Sequence, residues 1–198
     1  HVADSIDPFR DVETVSYELT FADMEILDRR LARLEDSFKG AKAPEREALN
    51  REKTLLGRLR GDLEEGIPLR EQSRSRDEAR VLDGFQLLTA KPLVVVANVG
   101  EGQVAEVPSL EARLASGVSG PRVLSGALCG MLEMELAQME PAEAWEFRES
   151  LGLGDSGSDR ITALSHQALD LVTFFTGNAN EVRAWTVARD MEAVKAAG

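Results

Sequence analysis

The sequence has very little of the chemistry from which metal sites and disulfide frameworks are built. Its 198 residues include one cysteine, Cys129, and two histidines, His1 and His166. One cysteine cannot form an internal disulfide, and these three residues do not have the spacing of a zinc site. We therefore predict no metal site among them and a reducing, cytoplasmic environment. His166 lies in a helical stretch and is predicted to be structural.

Long apolar runs and phosphate-binding loops are also absent. No run approaches the roughly 18 residues of a membrane-spanning helix, and no secretory signal is visible, so no membrane partner is expected. No G-x-x-x-x-G-K-[ST] sequence occurs, so the chain lacks the loop that cradles phosphates in many nucleotide hydrolases. Because the chain begins with His rather than Met, we expect it to be a piece of something longer.

One glycine-rich stretch, GLGDSG at residues 152–157, matches the letters of a dinucleotide-binding fingerprint. It follows a predicted helix, whereas a dinucleotide-binding loop follows a strand and opens a helix. A nicotinamide-dependent enzyme is therefore not indicated. We predict instead that Gly152 ends one helix and that Ser158 caps the next.

Basic residues are concentrated in one segment of an otherwise acidic chain, whose net charge is −12. Residues 29–80 carry 14 basic and 11 acidic side chains, a net charge of +3, and the remainder carries −15. An acidic protein is not drawn to nucleic acid by its overall field, so no sequence-specific DNA binding is expected. If the protein meets RNA, residues 29–80 are the expected contact, although solvation of exposed helix faces explains the same charges.

Apolar spacing in the first third of the chain predicts two long helices. Apolar residues from Val12 to Phe38 recur at intervals of three and four, as on the stripe of a coiled coil. The sequence KGAKAPE interrupts this pattern, which continues from Leu49 to Leu63. Two helices joined by a short breaker predict an antiparallel hairpin. The polar stretch Arg70–Arg76 is predicted to be mobile.

The rest of the chain alternates between strand and helix patterns. The continuous apolar run Leu93–Ala97 predicts a strand covered on both faces, and PRVLSG predicts a second strand. Further helices are predicted after Pro108 and over 128–139, 141–152 and 158–170. Near the end, LVTFFT and EVRAWTV flank the turn sequence GNAN and predict two strands. The pattern predicts an α/β fold followed by the start of a small β-containing domain.

Polar residues follow the first predicted strand directly, in the sequence Asn98-Val99-Gly100-Glu101. In α/β sheets, ligands bind just beyond the carboxyl ends of the strands. An asparagine amide can pair with N6 and N7 of adenine, and a carboxylate accepts from base N–H groups. The spacing is that of the guanine-reading N-K-x-D signature, but Val99 replaces its Lys and Glu101 its Asp. The same asparagine is also a common turn residue after a strand, so the motif alone leaves both interpretations open.

Several quoted stretches together resemble one family. They are HVADSIDPFRDVETVSYELTFADMEILDRRL, LLTAKPLVVVANVGE, LEMELAQM, LGLGDSGSDRI and LDLVTFFTGNANEVRAWTVARDMEAVKAAG. In this order they resemble the YchF or Obg-like ATPase family of P-loop NTPases over nearly the whole chain.

The resemblance implies a nucleotide-binding domain interrupted by a helical hairpin and followed by a β-grasp TGS domain. Residues 1–13 and 85–140 would belong to the nucleotide-binding domain and 14–84 to the coiled-coil hairpin. Residues 141–171 would form a helical connector and 172–198 the start of the TGS domain. The family binds and hydrolyses ATP, often in preference to GTP, with Mg²⁺, and associates with ribosomes in translation and stress responses.

The same resemblance assigns the site residues. Asn98, Val99 and Glu101 match the base-recognition motif. Cys129-Gly130-Met131 match a second base loop, where many relatives have Ser-Ala-Lys, so backbone groups are the expected contacts there.

His1 matches a histidine proposed to assist hydrolysis from a mobile loop. The phosphate loop and the Mg²⁺ ligands would lie upstream of this chain, which is therefore expected to be inactive alone. Two departures concern the TGS part: Gly177-Asn178 stand where relatives have Ala-Gly, and Asp190 where they have Gly. The alternative function is a non-enzymatic module that docks on a partner through the hairpin.

Overall fold

The computed structural model describes residues 6–196, and the chain divides after Pro92 into two compact units. Within the described residues, the α-helices of the first unit are α1 (Pro8–Phe38), α2 (Ala43–Glu64) and α3 (Arg76–Leu82). Those of the second unit, again within residues 6–196, are α4 (Val107–Gly117), α5 (Gly130–Leu136), α6 (Pro141–Ser150), α7 (Gly157–Ala168) and α8 (Ala193–Ala196). Its strands are β1 (Leu93–Asn98), β2 (Val123–Leu128), β3 (Leu171–Gly177) and β4 (Val182–Ala188).

Helices α1 and α2 end close to where the sequence predicts, and they begin several residues before the predicted apolar stripes. The Asp7 side chain caps α1 by accepting the backbone N–H groups of Phe9 and Arg10, which have no partner within the helix. Pro44 lies in the first turn of α2, where its missing N–H costs nothing. The first part of the predicted breaker, residues 39–42, therefore forms the loop that joins the two helices, whereas its last three residues already belong to α2.

The two helices pack against each other in opposite directions. Glu35, late in α1, pairs with Lys53 at 3.1 Å, and Asp28, earlier in α1, pairs with Arg60, later in α2. Between them lies a leucine core whose members are less than 9% exposed. These leucines, from both helices and the segments that follow, are Leu27, Leu34, Leu55, Leu56, Leu59, Leu63, Leu69, Leu82 and Leu87. Their burial, more than the half-exposed ion pairs, holds the helices together.

A buried carboxylate fastens α1 to the segment that precedes β1. Asp23 is fully buried and accepts the backbone N–H groups of Leu88 at 2.8 Å and Thr89 at 2.7 Å. It also accepts the Thr89 hydroxyl at 2.6 Å. Three donors satisfy the charged oxygens, which would otherwise be costly to bury. A helix residue distant in sequence therefore fixes the backbone at 88–89.

The polar stretch predicted to be mobile has a defined structure. Leu69–Glu71 forms a short 3₁₀ helix, in which Leu69 is fully buried. Ser75 and Glu78 then form a reciprocal capping box at the start of α3. Composition predicts mobility from the polarity of the stretch alone, whereas the buried Leu69 and the Ser75 cap give its two ends a regular structure.

The second unit contains a parallel strand pair. Strands β1 and β2 run parallel, with Leu93 opposite Val123 and Asn98 opposite Leu128. Helix α4 packs on β2, and α7 packs on both strands. Val96 is 38% exposed, so within residues 6–196 β1 is not covered on both faces as predicted.

Strands β3 and β4 form the predicted antiparallel pair, with Phe174 opposite Trp185. The indole N–H of Trp185 donates to the Thr176 hydroxyl at 2.8 Å. The sequence suggests Trp145 and Trp185 as core or interdomain anchors, but Trp185 is 45% and Trp145 55% exposed, so neither belongs to a core of the described residues. Most of β4 is exposed on both faces, from Val182 to Thr186.

Two local features at 152–157 complete the unit. Gly152 has a φ of +68°, the left-handed conformation that suits a glycine at a helix end, as predicted. The cap of α7 is Ser156, whose hydroxyl accepts the N–H of Asp159, and not Ser158. Among the described residues, no helix has the length and apolar character that crossing a bilayer requires.

Candidate nucleotide-binding site

The candidate site lies at the carboxyl ends of β1 and β2, where two predicted base loops meet. Asn98 ends β1 and lies opposite Leu128, which ends β2. The Val99 N–H donates to the Leu128 carbonyl at 2.9 Å, so the pairing continues one residue past the strand. The Gly130 N–H then donates to the Asn98 side-chain oxygen at 2.9 Å. One side chain thereby joins the loop after β1 to the loop after β2.

The fit between these loops depends on the absence of a side chain at Gly130. A Cβ atom there would lie 3.2 Å from the Asn98 oxygen, closer than most Cβ contacts. The lack of a side chain at Gly130 therefore lets the Asn98 amide oxygen approach the Gly130 N–H closely. Its own N–H is one of the first in α5 and has no partner within that helix.

The two polar side chains after β1 are both exposed. Asn98 lies at the end of the strand, and Glu101 begins a 3₁₀ helix, Glu101–Glu106. Gly100, between them, donates its N–H to the Gln103 side chain at 3.3 Å. Asn98 and Glu101 are thus accessible to a ligand, and the loop between them is held by an internal hydrogen bond.

The second loop presents one buried and one exposed side chain. Cys129 is 5% exposed and packs with Leu132 and Leu136, while Val99 packs against the same cluster. Met131 is 55% exposed. At this loop a ligand therefore meets backbone groups and the Met131 thioether, and the Cys129 thiol serves packing, as most single cysteines do.

Behind the second loop, an ion pair ties three helices together. Arg148 of α6 is 7% exposed and donates to Glu133 of α5, with an Nη1–Oε1 distance of 2.9 Å. This hydrogen bond holds the pKa of the Glu133 carboxyl below its ordinary value, and a hydrogen bond from the backbone of Gly157 acts in the same direction. Glu133 therefore stays ionised and fixes α5 relative to α6 and the start of α7.

The Mg²⁺ ligands and the predicted catalytic histidine are not found at this site. Within residues 6–196, no group of three or more His, Cys, Asp or Glu side chains could hold a metal ion. The described residues therefore do not fit a Mg²⁺ site. His1 lies outside the described residues. His166 lies on α7, in the helical position predicted for it.

Comparisons with known proteins agree on one family. The ribosome-binding ATPase YchF of Bacillus subtilis (strain 168) is 34% identical over 200 residues, which cover 100% of this chain and 54% of the relative. Obg-like ATPase 1 of Caenorhabditis elegans is 30% identical over 203 residues, covering 100% of the chain and 50% of the relative.

The structure of the Schizosaccharomyces pombe YchF GTPase matches with a TM-score of 0.82 at 26% identity, over 100% of this chain and 53% of that one. The chain belongs to the YchF/Obg-like ATPase family. No family profile matched it. This YchF-family chain spans about half the length of the curated relatives it matches.

Sequence reasoning missed the charged residues that support the two base loops. Glu133, Arg148, Glu111 and Arg160 are ordinary helix residues in the sequence, separated by up to 49 positions from their partners. Nothing in their local spacing distinguishes them from solvated charges. Only the contacts between helices identify them.

Proposed function

We propose that the protein containing this chain binds a purine nucleoside triphosphate at the carboxyl ends of β1 and β2. We further propose that it hydrolyses the triphosphate, ATP in preference to GTP, in association with the ribosome. The observation that carries the proposal is the hydrogen bond between Gly130 and Asn98, which joins the two predicted base loops. The names of the relatives, ribosome-binding ATPase and Obg-like ATPase, support both the reaction and the partner. A ribosomal partner would place the protein in the cytoplasm.

The orientation of Asn98 refines which base atoms it can read. Its side-chain oxygen accepts the Gly130 N–H, which can only donate, so the amide nitrogen points away from that contact. An outward N–H₂ group suits the purine N7, an acceptor that adenine and guanine share. We therefore propose a single contact to N7 in place of the bidentate adenine contact predicted from the sequence. Asn98 then selects a purine, and the choice between ATP and GTP falls to Glu101.

The remaining nucleotide chemistry is proposed to lie in the part of the relatives that this chain does not span. The sequence contains no phosphate-cradling loop, and residues 6–196 contain no candidate Mg²⁺ ligand set. The described residues would bind and orient the base. We propose that residues 1–13 and 85–140 complete the nucleotide-binding domain and that 172–198 begin the TGS domain.

Calorimetry on the protein expressed from its complete gene tests the base site. Asn98→Asp keeps an oxygen for the Gly130 N–H but removes the N–H group offered to N7. We expect about a tenfold weaker affinity for ATP and for GTP alike, the cost of one hydrogen bond. Glu101→Asp should reduce the ratio of ATP affinity to GTP affinity. The shorter side chain has the length of the aspartate that reads guanine in the N-K-x-D signature.

A matched control is Asn50→Asp, on an exposed position of α2. It should leave both affinities unchanged. Unchanged ATP and GTP binding by Asn98→Asp would contradict the base contact. A wild-type protein that binds GTP as tightly as ATP would contradict the role of Glu101.

A second candidate function is docking through α1, and one observation favours it. Tyr17 and Phe21 lie one helical turn apart on the same face of α1 and are 53% and 63% exposed. Apolar side chains that cluster on one exposed helix surface often mark a protein interaction site. The helical pair is therefore proposed as the surface that meets the ribosome, whether or not nucleotide is bound.

A further inference from the structure

A glutamate on α4 contacts the backbone of β2 close to the second base loop. One carboxylate oxygen of Glu111 accepts the Ala127 N–H at 2.8 Å. The same oxygen accepts a hydrogen bond from the Arg160 guanidinium of α7. Glu111 thus joins two helices to one backbone position of β2.

That position faces the edge of the strand opposite to β1. The N–H groups of Leu93 and Val99 donate to the carbonyls of Arg122 and Leu128. In a parallel pair, these bonds alternate along the strand, so β1 uses the even-numbered residues of β2. The N–H of Ala127 therefore points away from β1. Among the described residues, β2 pairs only with β1, and Glu111 supplies the partner that a further strand would otherwise provide.

Ala127 lies three residues before Gly130, whose N–H holds Asn98. Ala127 itself is 2% exposed, so its N–H would have no water to replace a lost acceptor. The position of the carboxyl end of β2 consequently depends on the acceptor at Glu111.

Space lies on both sides of the ion pair itself. Glu111 and Arg160 line two cavities, of about 540 and about 490 Å³. One lies towards Val104 and Leu153, and the other towards Ser125 and Gln167. Helices α4 and α7 still pack on β2, so loss of the Glu111 acceptor is expected to shift the end of the strand rather than to release it.

We propose that Glu111, oriented by Arg160, is a positioning residue for the base site. It holds the end of β2 so that the Gly130 N–H meets the Asn98 oxygen, and Asn98 in turn presents its amide N–H to the purine. Glu111 does not touch the nucleotide. This role rests on the proposed function, because it acts through the base loops.

The test compares variants that separate charge from hydrogen-bond acceptance. Glu111→Ala removes both and is expected to weaken ATP affinity about tenfold with kcat unchanged, since the loss concerns base binding. Glu111→Gln keeps an acceptor for the Ala127 N–H and should therefore weaken the ATP affinity less than Glu111→Ala does. The exchanged pair Glu111→Arg with Arg160→Glu keeps the opposite charges but places no acceptor at 111. It should therefore not restore the affinity.

Hydrogen exchange at Ala127 reports the contact independently of nucleotide binding. We expect faster exchange in Glu111→Ala and in the exchanged pair than in Glu111→Gln, measured in the nucleotide-free protein. Glu106→Gln, on an exposed residue just before α4, is the control and should change neither readout. If Glu111→Ala does not fold, the comparison of Glu111→Gln with the exchanged pair still shows whether an acceptor at position 111 is required.

Each outcome bears on the proposal differently. Wild-type exchange at Ala127 in Glu111→Ala and the exchanged pair would overturn the contact. Faster exchange with unchanged ATP affinity would overturn the positioning role. Restoration of affinity by the exchanged pair would assign the effect to charge pairing alone and overturn the proposal. A wild-type protein that binds no purine nucleotide would refute the proposed function, and the positioning role with it, whatever the exchange rates.

Discussion

At the scale of single residues, the geometry of the candidate site depends on two glycines that have no side chain. Gly130 leaves room for the Asn98 oxygen, and Gly157 leaves room for Glu133. In both places a glycine lets a polar group of one element approach the backbone of another closely. The helix positions that support the site therefore depend on these two residues lacking a side chain.

Gly157→Ala should destabilise the second unit. A Cβ atom there would lie 2.8 Å from Cγ and 2.9 Å from Cδ of Glu133, whose carboxylate is held by Arg148. Displacing Glu133 strains the ion pair, so we expect a loss of about 1–3 kcal/mol in the free energy of unfolding. Denaturant unfolding monitored by Trp fluorescence measures this loss.

Gly154→Ala is the matched control three residues away, because nothing lies within 4 Å of its added Cβ. It should stay within about 0.5 kcal/mol of the wild type. Equal stability of the two variants would show that Glu133 can move aside at no cost.

Single residues also show where sequence reasoning stops. Asn98 and Glu101 could be recognised as candidate base contacts from the sequence, because the end of a strand and the spacing of a motif are both visible within a few residues. Glu111 could not, because its partner Ala127 is 16 positions away and is a backbone N–H that any residue would supply. Asp23 and Thr89 are likewise ordinary residues until the fold brings them together across 66 positions.

At the scale of elements, the sequence predicts types and approximate bounds well. The periodic apolar stripes predicted α1 and α2, and short apolar or β-rich runs predicted β1 to β4. The errors concern features decided by one contact. The cap of α7 is Ser156 because its hydroxyl reaches the Asp159 N–H, and the 69–71 turn is ordered because Leu69 is buried. The coiled-coil geometry of the helical pair and the proposed domain boundaries stay predictions.

The exposed surface of α1 gives a prediction at this scale. The double variant Tyr17→Ser, Phe21→Ser should weaken binding to ribosomes about tenfold or more, because aromatic anchors dominate most interfaces. Neither side chain belongs to the leucine core, so circular dichroism should be unchanged. Co-sedimentation at fixed ionic strength measures the binding.

Glu18→Gln, exposed on the same helix, is the control and should bind as the wild type does. Full ribosome binding by the aromatic double variant would exclude this surface of α1. If ribosome binding is lost in Asn98→Asp but kept in the aromatic double variant, the nucleotide-dependent function is favoured over docking through α1.

At the scale of the whole molecule, the chain spans about half the length of the relatives it matches. The apolar run of β1 predicted burial on both faces, yet Val96 is exposed within the described residues. The apolar run is typical of a strand inside a larger sheet, whereas within residues 6–196 β1 pairs only with β2. The base site is complete enough to be tested, because both of its loops lie in one unit.

The most direct test of the base site is photolabelling of the protein, expressed from its complete gene, with 8-azido-ATP. The azide is attached next to N7, the atom assigned to Asn98, so crosslinking should mark residues within reach of that position. We predict labelled peptides that contain residues 98–104 or 129–134, with labelling suppressed by ATP and GTP but not by CTP. Labelling confined to other peptides, such as those around the cavity at 151–155, would contradict a purine site at the ends of β1 and β2.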